Sequence, residues 1–570
     1  MKSFRFCPSR LLWIQAAAGR LLSIAAITVA MSVATGSCAQ AGDPPRLIVV
    51  VSVDQLPQRY LTEYRAGFAS DGFFERVFRD GAWCSNCDHR HAFTLTGPGH
   101  ASLLTGADPA VHGIISNGWY RRGVGGTLNC VQDDESPIVG APSAEHGVSP
   151  RNLLVPTVGD ALKLASNGKA KVFGVSLKDR SAVLMAGHAA DAAYWFDENS
   201  GTWVTSRYYR SDLPGYLRNL NEGSAAKAFA GQSWELVAPA EAYRHDLPDD
   251  NPLETNLPFL GRSFPHPMPA EADASYFKLL EVTPYGNELT LAVARLLVEH
   301  EELGADDVPD ILCIGLSAND YVGHAYGPHS LEVQDITFRT DRQLGELMRW
   351  LDERIGAGRW TLGLSSDHGV GPVPEVAAAL RLKAARNPLG EAHDLAARLE
   401  KRLRQEMGLS ESGQPLVSRA EGIEIFLDHS QPELFGERLL TARRIIRRAL
   451  LEDPWVAIAY TQDELLAMPV GGEGLPEQFR RTMHPMRSGD VLFAMVPNVL
   501  QGTKNVASHG SPWKYDRHVP LVFWGAGIKP GRYDEAASPG CLGTTLARLL
   551  GLEPMPSASV PSLDAVLSTD

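Results

Sequence analysis

Six aspartate and histidine residues of this chain follow or precede apolar runs that are typical of buried strands. Carboxylate oxygen and imidazole nitrogen are the ligands that zinc takes when one coordination position stays open for chemistry. If the runs form an open α/β sheet, all six side chains lie beyond the same edge of it. Each residue alone is typical of a helix cap or a turn, but together they indicate a metal cluster. They are Asp54 after "RLIVVVSV", Asp320 and His324 in "SANDYVGHAYG", Asp367 and His368 in "SSDHG", and His509 in "SHGSPWKYD".

A threonine- and glycine-rich turn, "HAFTLTGPGHASLLTG" from His91 to Gly106, offers a second reactive group. A threonine hydroxyl is a poor nucleophile near neutral pH and needs a metal or a base to attack. The glycines allow the backbone to approach an anion closely, and a helix over "GHASLLTG" would direct its first N–H groups to that anion. Thr94 and Thr96 point the same way if the segment is extended, so the pattern does not choose between them.

Continuous β-branched runs predict the strands that would position these groups. Such runs suit strands that are buried on both faces, as in a parallel sheet covered by helices. Between two of them, Ile336, Leu344, Leu347, Leu351 and Ile355 recur with helical spacing. The alternation predicts a doubly wound α/β fold, with a mostly parallel central sheet flanked by helices. The runs are "RLIVVVSVD", "KVFGVSL" from Lys171, "ILCIGLS" from Ile311, "WTLGLSSD" from Trp360, "DVLFAMV" from Asp490 and "VPLVFWG" from Val519.

Two regions interrupt this alternation, and we interpret them as insertions that form a cap over the site. Residues 191–275 are rich in Tyr, Trp, Pro, Asn and Asp, and residues 371–485 begin with Ala/Leu/Arg-rich helical segments. A chain of 570 residues is long enough for several domain-sized units. The predicted organisation is a signal peptide over 1–41, core segments over 42–190, 276–370 and 486–570, and the two insertions.

The first forty residues predict export. Basic residues precede the apolar run "LLSIAAITVAMSVA", and "AQA" offers a small-residue cleavage site. The apolar run is short for a membrane span, so no stable membrane insertion is expected; lipoprotein anchoring at Cys38 is the alternative. Cleavage after Ala41 leaves a formal charge of −18, which disfavours nucleic acid as a partner. The expected location is the periplasm or the outside of the cell.

The cysteines indicate disulfides rather than a zinc ribbon. Cys84 and Cys87 form a CxxC pair, but no second such pair follows. In an oxidising compartment a disulfide that involves Cys130 is expected, with Cys541 as a further candidate. Cys313 lies within "ILCIGL" and is expected to be a buried free thiol.

Seven motifs, spread from about residue 46 to residue 530, resemble the alkaline phosphatase superfamily. The chain is most similar to the monomeric bacterial alkaline phosphatases that use threonine, of the phosphate-irrepressible and sphingomonad types. The motifs occur in family order. They are "VSVDQ", "TLTGPGHASLLTG", "HGIISNGWY", "SLKDRSAVLMAGH", "NDYVGHAYGP", "SSDHG" and "SHGSPWKYDRHVP".

The resemblance implies two zinc ions and a nucleophile. Thr96 matches the nucleophile of the family, which also contacts the metal, and His518 in "DRHVP" is an alternative to His509 because it lies close by. His100 is interpreted as a packed helix residue, with a role behind the ligands as the alternative. The implied zinc ligands are Asp320, His324 and His509 for one ion, and Asp54, Asp367 and His368 for the other.

Two cations and an amide bear on substrate choice. Lys178 and Arg180 are two residues apart, so in an extended segment both project from one face. The resemblance implies that they bind the non-bridging phosphoryl oxygens together with Asn117. Such cations favour the dianion of a phosphate monoester. The resemblance therefore implies hydrolysis of small phosphate monoesters through a phospho-threonine intermediate, by a monomer.

Three other functions are alternatives to monoester hydrolysis. A phosphodiesterase or nucleotide pyrophosphatase of the same superfamily is the main alternative, and a sulfatase is excluded because no C/S-x-P-x-R motif occurs. A non-catalytic periplasmic metal or phosphate binder would require a lost site residue, and none is missing. The acidic loop "RHDLPDDNP" from Arg244 could bind an additional Ca²⁺ ion, with a solvated loop as the simpler interpretation.

Overall fold

A computed structural model of the protein describes residues 44–141 and 146–568. The predicted signal peptide and the lipoprotein site at Cys38 therefore lie outside the described residues. The strands are β1 (Leu47–Val53), β2 (Ala82–Cys84), β3 (Gly118–Tyr120), β4 (Thr127–Asn129), β5 (Ile138–Val139), β6 (Val172–Ser176), β7 (Ala192–Asp197), β8 (Thr202–Ser206), β9 (Ser233–Trp234), β10 (His266–Pro267), β11 (Asp310–Leu316), β12 (Trp360–Ser365), β13 (Ala385–Arg386), β14 (Val417–Glu421), β15 (Glu424–Leu427), β16 (Val456–Thr461), β17 (Val491–Met495), β18 (Val499–Leu500), β19 (Leu521–Gly525) and β20 (Gly531–Tyr533).

The helices alternate with these strands through much of the chain. They are α1 (Tyr60–Glu63), α2 (Phe73–Asp80), α3 (Thr96–Thr105), α4 (Pro109–His112), α5 (Val158–Ala165), α6 (Asp179–Ala186), α7 (Gly215–Glu222), α8 (Ala274–Glu281), α9 (Pro284–His300), α10 (Ala318–Tyr326), α11 (Leu331–Leu351), α12 (Pro374–Ala379), α13 (Ala392–Met407), α14 (Glu437–Leu451), α15 (Gln462–Ala467), α16 (Gly474–Thr482), α17 (Lys514–Arg517) and α18 (Cys541–Leu549).

The central sheet has ten strands in the order β20-β2-β19-β12-β1-β11-β6-β7-β8-β5. Its five middle strands, β12, β1, β11, β6 and β7, run parallel. Every residue of β1 is buried, as a continuous apolar run between two helical layers requires. The predicted α/β class and the central sheet flanked by helices are confirmed.

Helices cover both faces of this sheet. Along β1, Leu47, Val49 and Val51 pack in one hydrophobic cluster with α2, α9 and α11. Ile48 and Val50 point to the opposite face and pack with α3, α5 and α18. Successive strand side chains alternate between faces, so a doubly buried strand needs apolar residues at every position. The predicted helix around Ile336 is α11, and Ile355 lies in the π-helical turn that follows it.

A second sheet carries much of the region predicted as the second insertion. Its four strands are in the order β14-β15-β17-β16, and they pack with α13 and α14 in a separate hydrophobic cluster. The run "DVLFAMV" forms β17 in this sheet, so its assignment to the central parallel sheet is wrong. A continuous apolar run indicates that both faces of a strand are buried, but it does not show to which sheet the strand belongs.

The first predicted insertion is partly built into the central sheet. Strands β7 and β8 fall within residues 191–275, yet β7 pairs in parallel with β6, and β8 pairs with β7. The division of the chain into core and capping segments otherwise stays a prediction.

The predicted disulfide at Cys130 is wrong in this structure, where Cys130 is a buried free thiol. It packs with Ile114, Trp119 and Ala182 in one cluster, whereas Cys84, Cys87 and Cys541 pack in another. Cys313 is buried and free, as predicted. Across the described residues, none of the helices combines the length and apolar character that crossing a membrane requires.

Candidate active site

The predicted reactive turn leads directly into a helix. Leu95 is extended, and α3 begins at Thr96 and ends before Gly106, which adopts a left-handed conformation. The backbone N–H of Gly97 donates to Oδ1 of Asn117 at 2.7 Å, so Asn117 lies beside the first turn of α3. The predicted helix is therefore present, and its first turn contacts Asn117.

The two threonines of the turn have different partners. The hydroxyl of Thr94 donates to the carbonyl of Ser511 at 3.0 Å, and the carbonyl of Thr94 lies 2.8 Å from Nδ1 of His509. Thr96 is the first residue of α3. Thr94 therefore holds neighbouring residues in place, while Thr96 lies at the helix N-terminus.

Asp320 lies within reach of two imidazoles. Helix α10 places Asp320 and His324 one turn apart on the same face, as the DxxxH spacing allows, with Nε2 of His324 3.2 Å from Oδ1 of Asp320. Nε2 of His509 lies 3.6 Å from the same oxygen. Backbone carbonyls of Ala507 and Thr94 contact Nδ1 of these two rings, which turns each Nε2 toward Asp320.

His509, and not His518, reaches the site. Strand β19 runs antiparallel to β12, so the segment that leads into β19 lies at the edge where β12 ends. Nδ1 of His518 instead lies 2.8 Å from Oδ1 of Asp88. The rings of His509 and His368 stack with centroids 3.4 Å apart, which brings the two predicted ligand sets together.

A second group forms where β1 and β12 end. Nε2 of His368 lies 3.2 Å from Oδ2 of Asp367 and 3.5 Å from Oδ1 of Asp54. Nδ1 of His100 lies 3.3 Å from Oδ2 of Asp367. His100 is fully buried, as expected for a packed helix residue, but it also contacts a predicted ligand. Only its place one turn after Thr96 could have signalled this from sequence.

Lys178 connects the two groups. Its Nζ lies 2.6 Å from Oδ2 of Asp54 and 2.6 Å from Oδ2 of Asp320. The expectation that Lys178 and Arg180 share an extended segment is wrong, because α6 begins at Asp179 and Arg180 lies in its first turn. Only Leu177 and Lys178 separate the end of β6 at Ser176 from the start of α6 at Asp179, and this brings Lys178 to the edge where the parallel strands end.

The charges of the cluster compensate each other. Burial alone would raise the pKa of Asp320, but His324 and Lys178 hold it well below its ordinary range. Burial would lower the pKa of His368, but Asp367 raises it to about 9. Burial and the neighbouring Asp367 raise the pKa of Asp54 to about 7. Lys178, 2.6 Å from Oδ2 of Asp54, opposes this rise but does not cancel it.

The buried donors fit divalent cations. Within the described residues, Asp54 Oδ1, Asp367 Oδ2 and His368 Nε2 are buried, and their contacts with one another at 3.2 and 3.5 Å do not have hydrogen-bond geometry. Such atoms cost free energy unless a partner satisfies them, and a cation between them would do so. Two sets of donor atoms each lie within 4.8 Å of one another. They are Asp320, His368 and His509, and Asp54, His100 and Asp367.

The loop from Arg244 does not form a comparable group. Asp250 pairs with Arg262, and Asp249 accepts from the backbone N–H of Phe264. Calcium binding there stays a prediction.

This fold and this site define an enzyme of the alkaline phosphatase superfamily. The chain belongs to the type I phosphodiesterase/nucleotide pyrophosphatase family, whose model matches residues 48–409.

Curated relatives match nearly the whole chain. A Myroides odoratus protein named calcium-transporting ATPase is 32% identical over 543 residues, which cover 92% of this chain and 95% of that protein. Alkaline phosphatase PafA of Elizabethkingia meningoseptica is 31% identical over 520 residues, which cover 90% of this chain and 93% of PafA.

The crystal structure of wild-type PafA superimposes with a TM-score of 0.83 at 30% identity, covering 92% of this chain and 99% of PafA. A PafA variant with substitutions at a threonine, an asparagine, a lysine and an arginine gives a TM-score of 0.85 at 29% identity, with the same coverage. These alkaline phosphatase relatives support phosphoester hydrolysis as the activity of this chain.

Proposed function

We propose that this protein hydrolyses phosphate monoesters, with two zinc ions, through a phospho-threonine intermediate at Thr96. The observation that carries the proposal is the position of Lys178, whose ammonium group contacts one carboxylate of each predicted metal group. A buried cation at that point can bind the extra negative charge that a monoester has and a diester lacks.

The relatives support the residue roles. In the PafA variant, the substituted threonine and asparagine are as far apart along the chain as Thr96 and Asn117 are here. Its substituted lysine and arginine are separated by one residue, as Lys178 and Arg180 are. The four residue types and the spacing within each pair therefore recur, which favours one substrate-binding set in this chain.

The ions would be held by the ligands implied above. Asp320, His324 and His509 would hold one, and the other would be held by Asp54, Asp367 and His368, with His100 against Asp367. When bound, two zinc ions supply positive charge that activates the attacking oxygen and stabilises the leaving oxygen. The backbone carbonyls behind His324 and His509 keep both imidazoles in the tautomer that leaves Nε2 free to bind.

The chain's own residues position the phosphoryl group. Thr96 Oγ1 would lose its proton and form the new bond to phosphorus, while the bond from phosphorus to the alcohol oxygen breaks and that oxygen takes up a proton. Water would then cleave the phospho-threonine, which releases inorganic phosphate and restores the Thr96 hydroxyl. At the start of α3, the N–H groups of Gly97 and Gly99 already donate to Asn117 and Leu95, and Pro98 has no N–H, so the N–H of Thr96 is the one left for the anion. Lys178 Nζ and Arg180 would bind the non-bridging oxygens of the phosphoryl group. Asn117 would donate a further hydrogen bond from Nδ2, because its Oδ1 already accepts one from the N–H of Gly97.

Phosphodiester hydrolysis is the second candidate, because the matching family model describes phosphodiesterases and nucleotide pyrophosphatases. The name of the Myroides odoratus relative includes ATP hydrolysis, which is also phosphoryl transfer to water. The relatives named alkaline phosphatase favour an enzyme over a non-catalytic binder. We further propose that the protein is exported and acts as a monomer, as the N-terminal segment and the resemblance predicted.

Two measurements on the zinc-loaded protein test the proposal. A matched pair of aryl monoester and aryl diester gives the ratio of kcat/KM, and we expect the monoester to be preferred. Rapid acid quench should trap phosphate on Thr96, identified by mass spectrometry. A protein with full zinc, no turnover and no trapped phosphate would instead be a binder.

A further inference from the structure

A cavity of about 760 Å³ opens beside the site. Asn117 and His509 line it, so the cavity is continuous with the predicted phosphoryl site. Its other walls come from the turn before α3, from residues 387–395 and 420–423, and from residues 493–502. The volume is typical of a site for a drug-sized organic molecule and far exceeds the needs of a phosphoryl group.

The described walls combine apolar side chains with polar and acidic ones. Phe93, Leu95, Ile423, Phe493, Val499 and Trp513 contribute apolar surface. Glu391, Glu421 and Asp516 also line the cavity, whereas no lysine or arginine occurs among its described lining residues. A second anionic group on the ligand would meet low-dielectric walls and like charges, which oppose it.

We propose that this cavity binds the leaving group of the substrate, and that this group is a bulky organic alcohol with apolar surface and no negative charge. The inference rests on the proposed phosphoryl transfer. The alcohol oxygen remains at the site beside His509, and the rest of the alcohol occupies the cavity. Nucleoside polyphosphates and inorganic pyrophosphate are poor fits, because their leaving groups are anions.

A matched pair of substrates tests the charge preference. The pair is the phenyl phosphate with a 4-carboxamide and the one with a 4-carboxylate, assayed with the wild-type enzyme, Val499→Lys and Val470→Lys. Val470 is 84% exposed and lies outside the cavity lining, so it provides the control cation. Reactivity differences between the two substrates cancel when the ratio of kcat/KM is compared between variants.

We expect Val499→Lys to raise the ratio of kcat/KM for the carboxylate substrate to that for the carboxamide substrate about tenfold, because the new cation attracts the carboxylate. Val470→Lys should leave this ratio unchanged. The corresponding pair of benzyl phosphonates, titrated by calorimetry, should show the same shift in Kd without turnover. An unchanged ratio and an unchanged Kd in Val499→Lys would place the leaving group outside the cavity. Failure of phosphate trapping at Thr96 would overturn the proposed function instead, because the phosphonate titration does not depend on chemistry.

Discussion

Gln55 donates a hydrogen bond from its side-chain Nε2 to Oδ1 of Asp320 at 2.5 Å. Its backbone N–H also donates to Oδ1 of Asp367 at 3.2 Å, so one residue joins carboxylates that follow two different strands. Gln55 has a φ of 62°, a conformation that residues other than glycine adopt uncommonly. A Cβ at Gly323 would lie 1.8 Å from Oε1 of Gln55, which explains the glycine opposite it.

We expect Gln55→Ala to lower zinc affinity roughly tenfold, because residues that orient metal ligands have effects of that size. Competition with a chelator measures the affinity. The exposed Gln405→Ala is the control. Unchanged affinity in Gln55→Ala would mean that its two hydrogen bonds do not hold the carboxylates in place.

Thr96→Ala and Asp54→Ala should have different effects, because Thr96 is the proposed nucleophile and Asp54 is a proposed zinc ligand. Thr96→Ala should keep two zinc equivalents and lose most activity and all phosphate trapping, since only the attacking oxygen is removed. Asp54→Ala should lower the zinc content, measured by elemental analysis. Thr94→Ala is the matched control, and trapping that persists in Thr96→Ala but disappears in Thr94→Ala would reverse the assignment.

Lys178→Ala and Arg180→Ala should each lower kcat/KM for an aryl monoester about a hundredfold. The kcat/KM for the matched diester should fall less, because its non-bridging phosphoryl oxygens carry one negative charge fewer. Exposed Lys169→Ala controls for loss of a surface cation. A diester preference in the wild type that survives both substitutions would favour the phosphodiesterase.

Gly99→Ala should disrupt the site. A Cβ there would lie 2.2 Å from the backbone carbonyl oxygen of Asp367, so either α3 or the end of β12 must move. We expect a loss of about 2 kcal/mol of stability, typical of overpacking, together with weaker zinc binding. Gly215→Ala has 4.0 Å to its nearest neighbour and should leave the Tm unchanged. Equal Tm values for the two variants would contradict this account.

Glu424 should make stability depend on pH away from the site. Burial raises its pKa from the ordinary 4.5 to about 7, although the N–H of Gly489 opposes the shift. The folded chain therefore holds this proton more tightly than the unfolded chain does. The stabilisation is complete below pH 4.5 and is lost as the pH rises through 7, by up to about 3 kcal/mol.

Thermal unfolding from pH 4.5 to pH 8 measures this effect. Glu424→Gln should flatten the decline in Tm, because the amide does not titrate. The exposed Glu411→Gln should retain the wild-type decline. The same slope in Glu424→Gln and the wild type would show that other groups cause the pH dependence.

Much of the fold follows from local pattern. Continuous apolar runs predicted β1, β6, β11, β12 and β19, since strands between two helical layers need apolar residues at every position. The same rule failed for β17, because a run of apolar residues reports burial and not its partners. The disulfide expected at Cys130 failed for a related reason, since the thiol packs in a cluster that contains no other described cysteine.

The sequence by itself determined the α/β class and the chemical types at the site, because strand periodicity and donor residues are local properties. Family motifs then separated Thr96 from Thr94, which spacing alone could not do. Only the tertiary structure decided that Lys178 lies between Asp54 and Asp320, that His100 contacts Asp367, and that a cavity opens beside Asn117. These contacts join segments hundreds of residues apart, and their geometry depends on how strands from different parts of the chain are ordered in one sheet.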